Sequence, residues 1–142
     1  MRFTARPALT EGTVMTANRS NLILYVEDDK DSCDIVKMLL SQSGYDVMTA
    51  RTACEGLRTA EQESLALIIL DKWHTDGDGV ELCRQIRAFD SHTPIIFFSG
   101  AASEADIQDA LKAGAHAYII KPYIEQLLDK ASLICEARSR RG

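Results

Sequence analysis

The sequence has no long apolar run, no closely spaced cysteines and no excess of basic residues. Each absence removes a class of function. No apolar stretch approaches the ~20 residues a helix needs to span a bilayer. The N-terminal segment MRFTARPALTEGTVMTANRS carries charge but lacks the apolar core of a secretory signal. The four cysteines, Cys33, Cys54, Cys83 and Cys135, stand 21, 29 and 52 residues apart. Without a Cys-x-x-Cys pair, neither a zinc site nor a redox motif is indicated. Cys33 and Cys83 fall in helical patterns as small apolar fillers, and the expected compartment is reducing and cytoplasmic. A formal net charge of -5 argues against a nucleic-acid surface, which wants a basic face. Lys and Arg are scattered apart from Arg138, Arg140 and Arg141, which read as a solvated tail. No internal repeat and no interdomain linker is visible.

What is present is a regular alternation. The 142 residues suit one domain with a real core. Residues 1–20 follow neither period and read as a disordered extension, 21–138 as the folded domain, and 139–142 as a basic tail. Apolar strands are expected at Leu22–Val26, Tyr45–Thr49, Leu65–Leu70, Ile95–Phe98 and His116–Ile120. The first helix, capped by Asp31 or Ser32, would turn Ile35, Val36, Leu39 and Leu40 to one face and stop at Gly44. A weaker helix spans Thr52–Glu63, with Gly56 inside it. Val80, Leu82, Cys83 and Ile86 mark a third. Ser103 and Asp106 resemble a capping box opening a fourth, ended by Gly114. A fifth runs from about Ile124 to Ala137. Strands alternating with helices mean an α/β fold, a doubly wound five-stranded parallel sheet with five helices.

In such a sheet all strand C-termini share one edge. Glu27, Asp28 and Asp29 follow the first strand, Asp71 the third, Ser99 ends the fourth and Lys121 the fifth, so these groups should converge. Several carboxylates together raise one another's pKa unless a cation joins them, and all-oxygen ligands suit Mg²⁺. An ammonium and a hydroxyl beside the metal would cradle a phosphoryl group. Singly, each signal has an ordinary reading, since acids favour helix N-termini and Ser-Gly and Lys-Pro are common in turns. Asp71 directly after six apolar residues is the hardest to assign to a cap or turn. A calcium loop fails: with Gly79 as its sixth position, His74 and Gln85 hold the two ends. His74 has no second His or Cys at a metal-binding spacing, and His92 and His116 read as surface residues.

In this order the motifs, over about residues 21–137, resemble the response-regulator receiver domain (CheY-like) of two-component signal transduction. The resemblance implies a flavodoxin-like sheet of order 2-1-3-4-5. It implies that Asp71 is the phosphoacceptor, served by a sensor histidine kinase or a phosphotransfer protein. Mg²⁺ (or Mn²⁺) would be bound by Asp28, Asp71 and the backbone carbonyl of Trp73, with Glu27 acting through water. Ser99 and Lys121 would hold the phosphoryl group, Pro122 would follow a cis peptide, and Tyr118 would be the aromatic switch. Asp78-Gly79 matches the turn into the third helix. Thr75 stands where the family often has proline. The bulky Trp73 borders the phosphoryl position, and shielding the phosphoaspartate from water is favoured over mere packing on the loop. The segment after Tyr123 is short, which leaves the partner surface undefined.

With only residues 138–142 beyond the last helix, the expectation is a stand-alone receiver that is not an enzyme beyond its own phosphorylation and dephosphorylation. Its output would be through an unidentified protein partner, with no nucleic acid and no membrane. Two rivals remain open. One is an aspartyl-nucleophile phosphohydrolase, which would want a second acid where Trp73 stands. The other is a degenerate receiver acting as a phosphorylation-independent interaction module.

Overall fold

Strands that are apolar on both faces can be satisfied only by helices on both sides of a parallel sheet. The computed structural model describes residues 21–141, with side chains as far as Arg138; the extension expected over 1–20 lies outside the described residues. The chain order is β1 (Leu22–Val26), α1 (Lys30–Gln42), β2 (Asp46–Ala50), α2 (Ala53–Gln62), β3 (Leu67–Leu70), β4 (Trp73–His74) and β5 (Gly77–Asp78). It continues through α3 (Gly79–Arg87), β6 (Ile95–Ser99), α4 (Glu104–Ala113) and β7 (Ala117–Ile120) to α5 (Ile124–Arg141). Five strands form one parallel sheet in the order β2-β1-β3-β6-β7. Counting sheet strands alone, this is the expected 2-1-3-4-5.

Alternation along each strand divides the core. Leu24, Val26, Ile68, Leu70, Ile95 and Phe97 pack with Val80, Cys83, Ile86 and Ala110, on the face covered by α2, α3 and α4. Ile23, Tyr25, Leu67, Ile69, Ile96 and Phe98 pack with Val36, Leu40, Leu127 and Ala131, on the face covered by α1 and α5. Gly56 is explained by this packing: a Cβ there would come within 2.8 Å of Val26 Cγ2, so glycine lets α2 lie close on β1. Burial pushes the Cys33 and Cys83 thiols up to about 11, as suits inert core fillers. No helix among the described residues is long and apolar enough to cross a membrane.

Several boundaries differ from the sequence expectation for local reasons. The cap of α1 is Asp29, whose carboxylate accepts the Ser32 N–H at 2.9 Å, rather than Asp31 or Ser32. The buried face of α1 is Cys33, Val36 and Leu40, while Ile35 is half exposed. Tyr45 closes that helix instead of opening β2: its N–H returns to the Leu40 carbonyl after Gly44, whose φ of +97° is the left-handed conformation that glycine tolerates. The two-residue strands β4 and β5, an antiparallel hairpin, were not anticipated. Helix α5 runs on to Arg141 rather than stopping near Ala137. Arg138, read as part of a solvated tail, is half-buried and donates to the Leu65 and Ala66 carbonyls at 3.2 and 2.8 Å.

The turn between α3 and β6 is held by one carboxylate. Asp90 accepts the His92 and Thr93 N–H groups at 2.9 and 3.0 Å and the Thr93 hydroxyl at 2.5 Å. Burial raises its pKa, but these donors outweigh it and leave the group below the ordinary 3.8. A depressed carboxylate adds stability above its unfolded pKa and loses it as pH falls through the folded value. Asp90→Asn should therefore cost about 1–2 kcal/mol in urea unfolding at pH 7, and the difference from wild type should shrink as the pH is lowered below that of the free carboxyl.

Candidate functional site

Strand register, not local sequence, assembles the site. Val26 lies beside Leu70 and Leu70 beside Phe97, while Ser99 lies beside Ile120. The residues just beyond these pairs meet at the C-terminal edge. The Asp71 N–H reaches the Val26 carbonyl at 3.3 Å, and the Lys121 N–H the Ser99 carbonyl at 2.9 Å. The Lys121 ammonium then bridges two carboxylates, at 2.5 Å from Glu27 Oε1 and 3.0 Å from Asp71 Oδ2. The peptide between Lys121 and Pro122 is cis, as expected.

Glu27 is 1% exposed. It accepts from the Tyr25 hydroxyl at 3.1 Å and the Asp29 N–H at 3.1 Å as well as from Lys121. Burial still wins and raises its pKa, with Lys121 pulling the other way. Asp71 has the opposite outcome. Burial raises it, but the Ser99 hydroxyl, the Lys121 ammonium and the Lys72 N–H together bring it below the usual carboxylate range. The Lys121 ammonium, whose charged form burial disfavours, is raised overall by Glu27 and Asp71. The site thus holds an ionised, oriented Asp71 carboxylate, an adjacent ammonium and a buried hydroxyl.

Tyr118 stands with its ring inward, stacked on Phe97 at 5.6 Å between centroids. Its hydroxyl donates to the Ala101 carbonyl at 2.6 Å, while the Ala101 N–H donates to Ser99 Oγ at 3.2 Å. Ser99 and Tyr118 therefore share one loop residue, which links the hydroxyl at the site to the outer strand.

The loop after Asp71 is built by close backbone contact. A Cβ on Gly79 would fall 2.0 Å from the Asp71 carbonyl oxygen, and the Gly79 N–H donates to the Lys72 carbonyl at 2.6 Å. That bond marks the pair at the open end of the β4–β5 hairpin as hydrogen-bonded. Antiparallel pairs alternate, so the Trp73–Asp78 pair is a non-hydrogen-bonded one. The Trp73 carbonyl is thus left out of the ladder. Its indole, 59% exposed, lies over the Lys72 ammonium, 4.4 Å from ring centroid to nitrogen. Of the two readings of Trp73, this contact is packing over the loop.

Several neighbours were not legible beforehand. Thr75 donates to Asp28 Oδ2 at 3.1 Å, a bond the family's usual proline cannot make. Arg51 Nε donates to the Asp28 carbonyl at 2.9 Å. Asp76 accepts the Ala53 and Cys54 N–H groups at 2.7 and 3.0 Å, closing the start of α2 from a distance. His74 is 9% exposed, and neither ring nitrogen makes a hydrogen bond; burial depresses its pKa, against the pull of Asp71 and Asp28.

Of the residues expected to converge at the strand ends, Glu27 and Asp71 meet at Lys121, and Asp29 is the one that departs. Among the described residues no three His, Cys, Asp or Glu side chains gather in a metal-holding group. Asp29 turns away to cap α1, while Glu27 turns inward to Tyr25 and to the Lys121 ammonium that it shares with Asp71. Asp28, Asp71 and the Trp73 carbonyl remain. Two carboxylates and a carbonyl, with water completing the shell, are a donor set that fits Mg²⁺.

The family model for the response regulator receiver domain matches residues 23–132. The chain belongs to this family. It is similar to the Bacillus subtilis uncharacterized transcriptional regulatory protein YrkP, 36% identical over 82% of this chain and 49% of that protein. It is also similar to the alkaline phosphatase synthesis transcriptional regulatory protein PhoP of the same organism, 37% identical over 71% of this chain and 42% of that one. The chain spans about half the length of these curated relatives. Among solved structures, a CheY-like receiver domain protein from Methanospirillum hungatei shares 34% identity with a TM-score of 0.81, covering 87% of this chain and 99% of that one. Receiver domains are signalling domains.

Two substitutions probe the construction of the site. Lys121→Met leaves Glu27 and Asp71 buried without their cation. It should cost roughly 3 kcal/mol in urea unfolding at pH 7. Both carboxyls would then lie above their unfolded values, so the loss should shrink as pH falls toward ~4. Gly79→Ala forces the Asp71 carbonyl aside and should destabilise by about 1–3 kcal/mol, with amide shifts by NMR centred on Asp71 and Lys72.

Proposed function

We propose that this receiver is a phosphorylation-dependent switch in which Asp71 accepts a phosphoryl group from a sensor histidine kinase or a phosphotransfer protein. The observation that carries the reading is the Lys121 ammonium at 3.0 Å from an Asp71 carboxylate held ionised at the sheet edge. A carboxylate oxygen of Asp71 attacks phosphorus, the bond from phosphorus to the donor's histidine nitrogen breaks, and that nitrogen keeps the electron pair. Lys121 pairs with the phosphoryl oxygens and the Ser99 hydroxyl donates to one of them. Asp28, Asp71 and the Trp73 carbonyl, with Glu27 through water, would hold Mg²⁺ (or Mn²⁺), which would neutralise phosphoryl charge.

Phosphorylation replaces the single charge of the Asp71 carboxylate with a phosphoryl group of charge about −2 beside Lys121. Drawing Ser99 toward the phosphoryl group moves Ala101, and with it the acceptor that holds Tyr118. The signal passes in this way from Asp71 to α4 and β7. A shift from 1:99 to 99:1 needs about 5.5 kcal/mol of differential interaction, so partial switching suffices for a partner that binds one state better. Output is a protein–protein contact on that surface. The transcriptional role in the relatives' names belongs to proteins about twice the length matched here.

Intact mass after incubation with acetyl phosphate and Mg²⁺ tests the reading. The wild type should gain one phosphoryl group and Asp71→Asn none. An unmodified wild type whose tryptophan emission is also unmoved by beryllofluoride would mean an interaction module instead, and steady turnover of a phosphomonoester would mean a phosphohydrolase.

A further inference from the structure

Lys72 is the buried charge that the chemistry at Asp71 leaves unused. It is 5% exposed, and an ammonium so placed must be compensated. Its Nζ lies 3.7 Å from Asp78 Oδ2 and 3.7 Å from Asp106 Oδ1, beneath the indole of Trp73. Its backbone is fixed as well. The N–H donates to Asp71 Oδ1 at 2.6 Å and the carbonyl accepts from Gly79. Asp106 stands in the first turn of α4, where it also closes the capping box with Ser103. That helix follows the loop that leaves Ser99. One side chain therefore spans from the residue that orients Asp71 to the helix beyond Ser99, and touches the β4–β5 hairpin on the way.

We propose that Lys72 is a positioning residue, an ionic latch between the β4–β5 hairpin and α4 that keeps the Asp71 carboxylate in its productive orientation. The proposal deepens the receiver reading above and rests on it for its ligand. With the latch closed, Lys72 is held at its side chain, its N–H and its carbonyl, and Asp71 Oδ1 has a fixed donor. With Asp106 released, α4 and the hairpin move independently and that donor drifts. The latch so couples the position of the Ser99 loop to the orientation of the phosphoacceptor.

The full chain is titrated with beryllofluoride in Mg²⁺ and followed through Trp73, the only tryptophan of the sequence. Lys72→Met, Asp106→Asn and the double variant are compared with wild type; Asn keeps an oxygen for the Ser103 cap. A latch predicts that both single variants raise the half-saturating concentration by about threefold to tenfold, that the double is no worse than either, and that Lys72→Arg recovers part of the loss. If Lys72 acted merely as a charge near Asp71, the two substitutions would move the titration in opposite directions, since one removes a cation and the other an anion. Both effects would then fade in high salt. That result overturns the latch.

Ser103→Ala breaks the cap without discharging Asp106, and its effect must add independently to that of Lys72→Met; coupling as strong as that of Asp106→Asn would also overturn it. A wild type silent to beryllofluoride counts against the receiver reading alone. The latch is then judged by urea unfolding, where Lys72→Met and Asp106→Asn must be non-additive in the folding constant, and simple additivity refutes it.

Discussion

A single ammonium group holds together what electrostatics would otherwise push apart. The parallel sheet brings Glu27 and Asp71 to one buried edge, and Lys121 from the outer strand β7 lies between them. Without it, two buried carboxylates would share a site that can ionise neither comfortably. With it, the pair divides: Glu27, the more deeply buried, is raised, while Asp71, with more donors, stays low. The chemistry of the site follows from that division, since an ionised, oriented carboxylate beside a cation is what a phosphoryl acceptor requires. The strand order sets the span of this contact, since β3 and β6 lie between β1 and β7 and Lys121 reaches across their ends to Glu27.

Around this centre the loops are joined by polar contacts that cross from one connection to the next. Arg51 after β2 grips the Asp28 carbonyl after β1, Thr75 of the hairpin loop grips its carboxylate, and Asp76 closes the start of α2. Each uses a backbone group or carboxylate that a single βα unit would leave to water. The effect is a rim whose loops are tied to one another. Gly79 sets its tightness, because its missing side chain lets the start of α3 touch the Asp71 carbonyl. Where the chain departs from its family, the departure has a partner. Thr75 replaces a ring that could not donate, and Trp73 roofs a buried lysine rather than standing idle on the surface.

The layered fold was readable almost strand by strand. Apolar runs such as Leu67–Leu70 and Ile95–Phe98 are buried on both faces, and only a helix-covered parallel sheet accommodates them. Its punctuation was readable where a residue has one physical use: Gly44 and Gly114 at positive φ, and Ser103 with Asp106 in a capping box. The reading slipped where two uses compete. Asp29, Asp31 and Ser32 all favour caps, and the one taken depends on where β1 releases the chain. Tyr45 suits a strand by composition, yet its N–H serves the end of α1. Arg138 reads as a solvated tail, His74 as a histidine without a metal-binding partner, and Lys72 carries no signal at all; nothing in their immediate sequence shows that packing would cover them.

By itself the sequence determined the alternation of strands and helices, the edge at which polar residues end the strands, and the candidacy of Asp71, Ser99 and Lys121. Those follow from periodicity and from the geometry common to every parallel sheet. Tertiary structure alone decided which carboxylate turns to which cation. Asp29 went to a helix end, Glu27 inward to Lys121 and Tyr25, Asp28 to Thr75 and Arg51, and Lys72 beneath Trp73 between Asp78 and Asp106. The reason is that a buried charge takes its partner from whatever the fold brings within a few ångströms, often from residues tens of positions away. That proximity is a property of the register and packing of the assembled chain rather than of any stretch within it.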